Sequence, residues 1–346
     1  MTRRSPWWDK TIHADRRPLL LLRNRIRDAI REYFRAKGFI EVECAALQVS
    51  PGNEAHLHAF ATERIGTDGA RRRMYLHTSP EFACKKLLAA GERKIYSFAS
   101  VYRNRERGDQ HAPEFTMLEW YRAGESYDAV IKDCISLVGL AAETAGSKHF
   151  RFRERQADPF AAMERVTVAD AFGTHAGIDL LSTINGAEPN VSALAAAATK
   201  AGVKISADDT WSDIFSRVLV ERIEPNLGLG KPTILDEYPR SEAALARASA
   251  HDPRVAERFE LFMCGVELAN GFGELTDATE QRRRFESEMD EKARIYDERY
   301  PIDEDFLAAL AAMPNASGVA LGFDRLVMLA TAADRIDRVM WTPPED

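Results

Sequence analysis

The chain has 346 residues, of which 45% are hydrophobic and 29% are charged, and its formal net charge is −7. These values are ordinary for a globular protein with one large domain or two modest ones. The acidic balance argues against a protein that coats nucleic acid, because counterion release favours a basic surface, although it leaves room for a basic macromolecular partner. No apolar run reaches the roughly 20 residues that a membrane helix needs. The basic start of the chain, residues 1–8, has no apolar signal core, so we expect a cytoplasmic protein without membrane contact.

Cysteine usage gives no sign of a metal or disulfide framework. The four cysteines are widely separated, without a CxxC pair or a histidine cluster beside them: Cys44, Cys84, Cys134 and Cys264. We therefore expect buried free thiols in a reducing compartment.

The N-terminal third of the chain predicts two helices. Apolar residues recur at helical spacing over Pro18–Lys37, and Gly38 follows where a helix stop is expected. A short β-type run, residues 39–42, comes next. Ser79 and Pro80 then form a good N-cap and first residue for a helix that should stop at Gly91.

A hairpin and a third helix are predicted after Gly91. Residues 94–102 and 115–121 are rich in aromatic and β-branched side chains and predict two strands. The charged loop between them, residues 103–113, indicates an antiparallel hairpin whose loop has a function. Helical periodicity returns over Tyr127–Glu143.

The remaining chain predicts an insertion, two strands and two helices. Residues 150–235 are less patterned, with helical stretches at 191–201 and 211–221, and we interpret them as an insertion in the same domain. The later elements are a strand at 258–269, a helix at 278–300 that Pro301 ends, a strand at 318–322 and a helix at 324–333. Together they predict an α+β fold, with an antiparallel sheet flanked by helices, in a single domain over residues 1–346.

Three polar clusters could carry chemistry. Arg103 leaves a strand into a loop with further arginines and His111, and a guanidinium there suits phosphate oxygens. The carboxylates Glu260, Glu267 and Glu274 are each seven residues apart. Glu260 and Glu267 would need a bulge or bend in their strand to act together on a hard cation such as Mg²⁺. Gly322 to Arg325 marks a strand-to-helix junction that could approach a phosphate. Taken alone, the first cluster is equally compatible with a solvated basic turn, the second is better explained by charged residues on an exposed strand, and the third is a common form of helix capping.

Taken together, the three clusters resemble the active-site motifs of class II aminoacyl-tRNA synthetases. Val101–Asn104 with His111–Tyr121 is similar to the second motif of that class, and Gly318–Leu326 to the third. Gly265–Ala278 resembles the lysyl branch. Neither a Rossmann glycine pattern nor a class I nucleotide motif is present, since His56-Leu57-His58 does not match one.

Within the class, the chain resembles the elongation factor P lysine ligase family. Lysyl-tRNA synthetases carry an OB-fold anticodon domain ahead of the catalytic core, and we expect no such domain here because the first core-like helix begins near Pro18. The segments 113–121 and 267–272 are similar to that family, which looks to have alanine, as at Ala320, where lysyl-tRNA synthetases have glycine. The resemblance implies ATP-dependent activation of lysine or β-lysine as an adenylate, followed by transfer to the ε-amino group of a lysine of elongation factor P. It also implies a homodimer and no stable tRNA binding.

The resemblance also implies roles for individual residues. Arg103 and Arg325 would be catalytic, gripping the α-phosphate and a distal phosphate, and Glu260 and Glu267 would bind Mg²⁺. The implied ATP site comprises Arg103, Asn104, Arg105, Glu106, His111, Ala112, Phe115, Glu267, Leu268, Gly322 and Arg325. The implied amino-acid site comprises Ser79, Pro80, Glu81, Glu119, Tyr121, Asn270, Phe272, Glu274 and Ala320.

The sequence departs from the family pattern at three places. Arg105 stands where glutamate is usual, with Glu106 one position late, and Ala112 replaces an asparagine. Cys44 and Ala45 follow Glu43 where the first motif ends in proline, which leaves the details of the dimer interface open. Two other functions stay open: a truncated lysyl-tRNA synthetase paralogue acting on tRNA or a small acceptor, and a regulatory paralogue without chemistry.

Overall fold

A computed structural model describes residues 6–344 of the chain. The part of the basic start at residues 1–5 lies outside this range. The described residues contain nine α-helices: α1 (Lys10–Ala36), α2 (Glu81–Ala89), α3 (Tyr127–Ala145), α4 (Val168–Ala176), α5 (Val191–Lys200), α6 (Trp211–Val218), α7 (Ala278–Tyr296), α8 (Glu304–Ala312) and α9 (Phe323–Ala330). None of the helices between residues 6 and 344 combines the length and apolar character needed to span a bilayer.

Fifteen strands lie in the same range. They are β1 (Ile40–Glu41), β2 (Leu47–Gln48), β3 (Ala61–Ile65), β4 (Arg71–Leu76), β5 (Lys94–Tyr102), β6 (Glu114–Ala123), β7 (Phe150–Phe152), β8 (Arg155–Ala157), β9 (Glu164–Thr167), β10 (Ile184–Asn185), β11 (Glu188–Pro189), β12 (Thr233–Asp236), β13 (Arg258–Met263), β14 (Val266–Gly273) and β15 (Ala316–Gly322). Short 3₁₀ segments and one π-helical turn connect some of them.

The main sheet has eight strands in the order β1-β5-β6-β15-β14-β13-β12-β9. From β5 to β12 every neighbouring pair is antiparallel. The two edge strands pair in parallel, β1 with β5 and β9 with β12. The predicted α+β class is therefore confirmed, with the correction that the sheet is mixed at its edges.

The two faces of this sheet have different roles, because successive side chains of a strand point to opposite faces. On one face, Leu118 and Trp120 of β6 and Val319 and Leu321 of β15 join a large hydrophobic core. Helices α1, α3 and α9 pack on that face through their buried apolar residues. The opposite face of the central strands stays open and carries the site described below.

A second hydrophobic cluster fills the segment between β9 and β12. Phe215 stacks on Phe172 and on Trp211, with ring centroids 5.1 and 5.3 Å apart. Strands β9 and β12 run through the edge of the main sheet, so this segment shares one sheet with the rest of the chain. Its helices α5 and α6 lie at the predicted 191–201 and 211–221, although α6 ends at Val218 and passes into a π-helical turn, Leu219–Ile223.

Several predicted boundaries are wrong for identifiable reasons. Helix α1 begins eight residues before Pro18, because the Asp9 side chain caps it by accepting hydrogen bonds from the backbone N–H groups of Thr11 and Ile12. Helix α7 ends at Tyr296 and not at Tyr300, since Asp297 takes the left-handed conformation, φ 53°, that stops it.

The predicted single strand over residues 258–269 is also wrong. It is a hairpin, β13 and β14, whose two-residue turn is formed by Cys264 and Gly265 at φ 56° and 68°. Such a turn needs positive φ at both positions. Helix α8 and the small sheet β2-β4-β3 were not predicted.

Other elements were predicted well. Strand β5 has the predicted bounds, and β6 and α3 differ from theirs by two residues or fewer. Strand β15 and helix α9 follow each other at the predicted junction.

Candidate active site

A cavity of about 350 Å³ opens on the exposed face of the main sheet. Strands β6, β14 and β15 supply its floor through alternate residues, and the small side chains of β15 leave the space. The lining residues on these strands include Phe115, Met117, Glu119, Tyr121, Leu268, Asn270, Phe272, Gly318, Ala320 and Gly322. Cross-strand register places Glu119 and Asn270 on either side of Ala320, with Glu260 next to Asn270.

The cavity brings together most of the residues named from sequence. The remaining predicted residues that line it are Ser79, Glu81, Arg103, Glu106, His111, Ala112, Glu260, Glu267, Glu274 and Arg325. Three predicted residues do not line it. The Asn104 side chain instead accepts a hydrogen bond from the Arg105 N–H, the Arg105 guanidinium lies over the ring of Tyr296, and Pro80 borders a smaller neighbouring pocket.

Two arginines from distant segments meet in this cavity. Arg325, in the first turn of α9, donates from Nη1 to the Glu267 carbonyl at 2.9 Å, and its Nη2 lies 2.8 Å from His111 Nε2. Burial and the Arg325 charge lower the pKa of His111, so its ring is neutral at pH 7. Arg103 follows β5, donates from Nε to the Thr78 carbonyl at 3.3 Å, and holds its guanidinium 5.4 Å from the centre of the Phe115 ring. Both cations therefore face one enclosed space.

A carboxylate pair lies beside the arginines. The hairpin turn and a register irregularity between Leu261 and Phe262 bring Glu260 and Glu267 to the same cavity. Burial and the Glu267 charge raise the pKa of Glu260, although its ion pair with Arg258, 2.8 Å, opposes the shift. Burial and the charges of Glu260 and Glu267 also raise the pKa of Glu224 to about 7. The carboxylates repel one another, which is the condition that a bound cation relieves.

These carboxylates alone do not complete a metal site. Within residues 6–344, no group of three or more histidine, cysteine, aspartate or glutamate side chains is placed to hold an ion. Mg²⁺ commonly takes only one or two protein carboxylates and completes its shell with phosphate oxygens and water. Glu260 and Glu267 fit that arrangement when a triphosphate lies on the arginines.

The far end of the cavity is acidic. Glu119 is 1% exposed, and it accepts hydrogen bonds from the Ser79 hydroxyl at 2.6 Å and the Tyr121 hydroxyl at 2.8 Å. Burial and the neighbouring charge of Glu81 raise the pKa of Glu119 to about 8. Burial likewise raises the pKa of Glu274 to about 7.

Lys85 joins two of the acids at this end. Its Nζ lies 2.6 Å from both Glu81 Oε1 and Glu274 Oε2, and its side chain is 1% exposed. Burial alone would lower the pKa of Lys85, but the two carboxylates raise it, so the lysine stays charged. Three acids therefore face one internal cation, and the end of the cavity has more carboxyl groups than the single lysine can pair with.

Backbone and buried contacts fix this arrangement. A Cβ at Gly318 would lie 2.3 Å from Tyr121 Cε1 and 2.4 Å from Glu274 Oε1, so this position holds only glycine without displacing the acidic end. Asp324 forms a buried ion pair with Arg23 of α1 and accepts a hydrogen bond from the Thr116 N–H at 2.6 Å. This contact ties α1, β6 and the start of α9 together beneath the arginine end.

Several lining residues, and Lys85 that pairs with two lining acids, were not predicted from sequence. Lys85 follows Glu81 by four helical positions, a spacing that indicates an ion pair, and Arg258 lies two residues before Glu260 on one strand face. No comparable pattern marks Glu54, which comes from the loop between β2 and β3. Other unpredicted lining residues are Leu57, Gln110, Met117, Ala244, Leu245, Gly318, Val319, Asp324 and Ile336.

The fold and site define a synthetase-type catalytic domain, and comparison with known proteins gives the same class. Residues 3–345 match the class II tRNA synthetases (D, K and N). Within that class, the chain belongs to the family of elongation factor P–(R)-β-lysine ligases. Proteins of that name from Haemophilus ducreyi and Sodalis glossinidius are 39% and 40% identical to it over 325 residues, which cover 93% of this chain and 92% and 93% of theirs. The Proteus mirabilis protein is 39% identical over 328 residues, 94% of each chain.

Proposed function

We propose that the protein activates (R)-β-lysine with ATP and transfers it to the ε-amino group of a lysine of elongation factor P. The observation that carries the proposal is a single cavity with arginines at one end and an excess of carboxylates at the other. Seven glutamates line it, at positions 54, 81, 106, 119, 260, 267 and 274, against Arg103, Arg258 and Arg325. Burying an amino acid with two ammonium groups requires such acceptors, because an unpaired buried charge is costly. The names of the relatives support elongation factor P as the acceptor.

The arginine end binds and orients the nucleotide. Arg103 holds the α-phosphate and the carboxylate that attacks it, and Arg325 with neutral His111 holds the distal phosphates. Phe115 stacks on the adenine, Leu268 lines the nucleotide site, and Gly322 contacts the nucleotide through its backbone. Positioning and charge neutralisation of this kind supply most of the rate in phosphoryl chemistry.

A magnesium ion would be held by Glu260 and Glu267 together with the phosphates. It would neutralise the charge that develops on the leaving pyrophosphate. The ATP-binding roles proposed for Asn104 and Arg105 have less support, because both side chains lie outside the cavity. Glu106, which lines it, is the better partner for the adenine amino group.

The acidic end receives the amino acid. Glu81 and Glu119 bind the amine nearer the carboxylate, Tyr121 and Glu274 bind the side-chain ammonium, and Asn270 faces the carboxylate. Asn270 Oδ1 is buried and has no hydrogen-bond partner in the described part of the chain, as expected for a group that a ligand completes. Ser79, Phe272 and Ala320 shape the pocket, and the Ala320 methyl group favours the β-amine over the α-amine.

The deciding experiment has two parts. ATP–pyrophosphate exchange is measured with (R)-β-lysine, lysine and leucine, and elongation factor P is then analysed by mass spectrometry after incubation with enzyme, ATP and each amino acid. We expect exchange with (R)-β-lysine above lysine, none with leucine, and one added lysyl mass on the acceptor. Absence of exchange with both lysine isomers would reject the activation, and charging of tRNA in place of the protein would favour the synthetase paralogue.

Arg325→Ala should abolish exchange while the protein stays folded.

We also propose that the protein forms a homodimer and acts in the cytoplasm. A homodimer is the arrangement expected for the class, and a cytoplasmic site of action follows from a translation factor as acceptor. Sedimentation of the purified protein tests the first, and stable binding of tRNA in the same experiment would contradict the expected acceptor.

A further inference from the structure

Glu54 differs from the other acids of the cavity in having no partner. The other seven lining carboxylates each contact a cation or hydroxyl group, the longest contact being 3.9 Å from Glu106 to Arg103. In the part of the chain that the structure describes, no hydrogen bond or ion pair joins the Glu54 side chain to another residue. Its half-buried carboxylate is therefore available to a ligand.

Glu54 lines the cavity within range of charged groups from both of its ends, Arg103 and Glu81. It borders both the main cavity and the smaller pocket that Ser79 and Glu81 share. Charged groups face it from four neighbouring elements. They are Arg103 after β5, Glu81 of α2, Glu288 of α7 and Arg258 of β13. Arg103 is the residue proposed to hold the α-phosphate, and Glu54 lines the same cavity as Arg103, so in the proposed complex Glu54 shares that cavity with the bond between the amino acid and AMP.

The electrostatics suit a group that exchanges protons at neutral pH. Burial raises the pKa of Glu54 to about 7, with Glu81 and Glu288 adding to the shift and Arg103 and Arg258 opposing it. A general base is most effective when its pKa lies near the working pH. An ordinary solvated glutamate, with a pKa near 4.3, would be a much weaker proton acceptor.

We propose that Glu54 is the catalytic base of the transfer step, taking a proton from the acceptor amine of the protein substrate. This inference rests on the proposed function. As the neutral ε-amine attacks the carbonyl carbon of the adenylate, the new C–N bond forms and the nitrogen becomes positively charged. The C–O bond to the phosphate breaks, and its electron pair leaves with AMP. One proton passes from the nitrogen to a Glu54 oxygen and is later released to solvent.

Glu54→Gln tests this assignment, since the amide has the same shape but cannot take the proton. The measurements are ATP–pyrophosphate exchange with (R)-β-lysine and single-turnover transfer from preformed adenylate to elongation factor P. We expect the ratio of transfer to exchange to fall by about a hundredfold or more. In the wild type the transfer rate should fall as the pH is lowered through about 7, and this limb should be absent in the variant.

Two controls separate chemistry from structure. Glu288→Gln makes the same change in a neighbouring carboxylate, whose oxygen accepts a hydrogen bond from the Ala55 N–H at 2.9 Å, and it should leave the ratio near the wild-type value. Hydroxylamine, a nucleophile that is uncharged at neutral pH, needs less help from a base, so it should capture adenylate from Glu54→Gln at close to the wild-type rate.

The outcomes are distinct. An unchanged ratio, or an equal loss of exchange and transfer, overturns the role of Glu54, and so does a loss confined to exchange. If the wild-type protein shows no lysine-dependent exchange at all, the proposed function fails before the role of Glu54 is tested.

Discussion

Lys85 shows how one buried cation sets the charge of the acidic end. It is paired with Glu81 and Glu274 at 2.6 Å, and all three side chains are largely removed from solvent. Replacing it by methionine keeps the volume but leaves two carboxylates without their cation. We expect Lys85→Met to lower the free energy of unfolding by about 3–5 kcal/mol, because it breaks a buried ion pair from one side. Denaturant unfolding measures the loss.

Lys86 provides the matched control. Its ion pairs with Asp303 and Asp305 lie nearer the surface, where the lysine is 28% exposed. Lys86→Met should therefore cost only about 1 kcal/mol. Equal losses for the two variants would contradict the central position given to Lys85.

The raised carboxyl pKa values predict a dependence of stability on pH. The pKa values of Glu119 and Glu274 are about 8 and about 7 in the folded protein, above those of the unfolded chain. The folded state therefore holds protons that the unfolded state releases, and this stabilisation is lost as the pH rises through 7 to 8. Through the ionisation of Glu119 and Glu274, the ligand-free protein should have a smaller free energy of unfolding at about pH 8.5 than at about pH 6.

Lysine should counteract that trend, because in the proposed complex its ammonium groups bind the ionised carboxylates. Its stabilising effect in thermal unfolding should be larger at the higher pH, and Glu119→Gln should reduce the difference. A lysine-induced shift that is the same at both pH values would show that these acids do not meet the ligand.

Residues that stand in contiguous motifs lie together in the structure, whereas their roles stay a prediction. Arg103, Glu119, Glu267 and Arg325 lie at the ends or on the floor strands of recognisable elements, so the motifs place them on one cavity. Glu54 and Arg258 come from segments whose position depends on long-range packing, and no local spacing indicates where their side chains point. The ion pair of Lys85 could have been predicted, because Lys85 follows Glu81 by four residues and this spacing brings side chains together on a helix.

At the scale of elements, the β13–β14 hairpin decides whether the carboxylate pair forms. Its turn residue Gly265 has φ 68°, and a Cβ there would lie 2.0 Å from the Arg155 side chain. Gly265→Ala should cost about 1–2 kcal/mol of stability from the backbone conformation. It should also lower ATP–pyrophosphate exchange, because a strained turn shifts Glu260 and Glu267 relative to each other.

Gly146 separates the two effects. It has φ 64° at the end of α3, and an added Cβ would have no neighbour within 4 Å. Gly146→Ala should lose a similar amount of stability in denaturant unfolding and keep its exchange activity. Loss of exchange in both variants would show that the hairpin has no special role.

The same hairpin explains the largest error of the secondary-structure prediction. Asn-Gly or Asp-Gly marks most two-residue turns, whereas this turn is Cys-Gly inside a continuous apolar run. Hydrophobic periodicity alone cannot divide such a run into two strands. Elements whose ends are marked by turn or capping residues, such as β5 and α3, were predicted to within two residues.

At the scale of the molecule, the question is whether residues 150–235 fold with the rest of the chain. Their aromatic cluster around Phe215 is separate from the main core, but β9 and β12 belong to the main sheet. Phe215→Ala should cost about 3–5 kcal/mol, the usual loss for a buried aromatic ring. Because the sheet is shared, we expect the whole chain to unfold in one transition.

Fluorescence of single-tryptophan variants tests this cooperativity. Trp120 reports on the main core and Trp211 on the second cluster. In the Phe215→Ala background, both signals should move to the same lower denaturant midpoint. A shift of the Trp211 signal alone would show two independently folding units in place of the single domain that we predict.

The carboxylate cluster around Glu119 also bears on accuracy. A leucine or methionine of matching length would bury those acids without an opposite charge, whereas the proposed dibasic substrate would neutralise them. Sites built around a polar group of the cognate substrate reject analogues that lack it by a factor on the order of 10⁴ or more. If the acids bind the substrate as proposed, discrimination of that size at the binding step would make a separate hydrolytic proofreading site unnecessary.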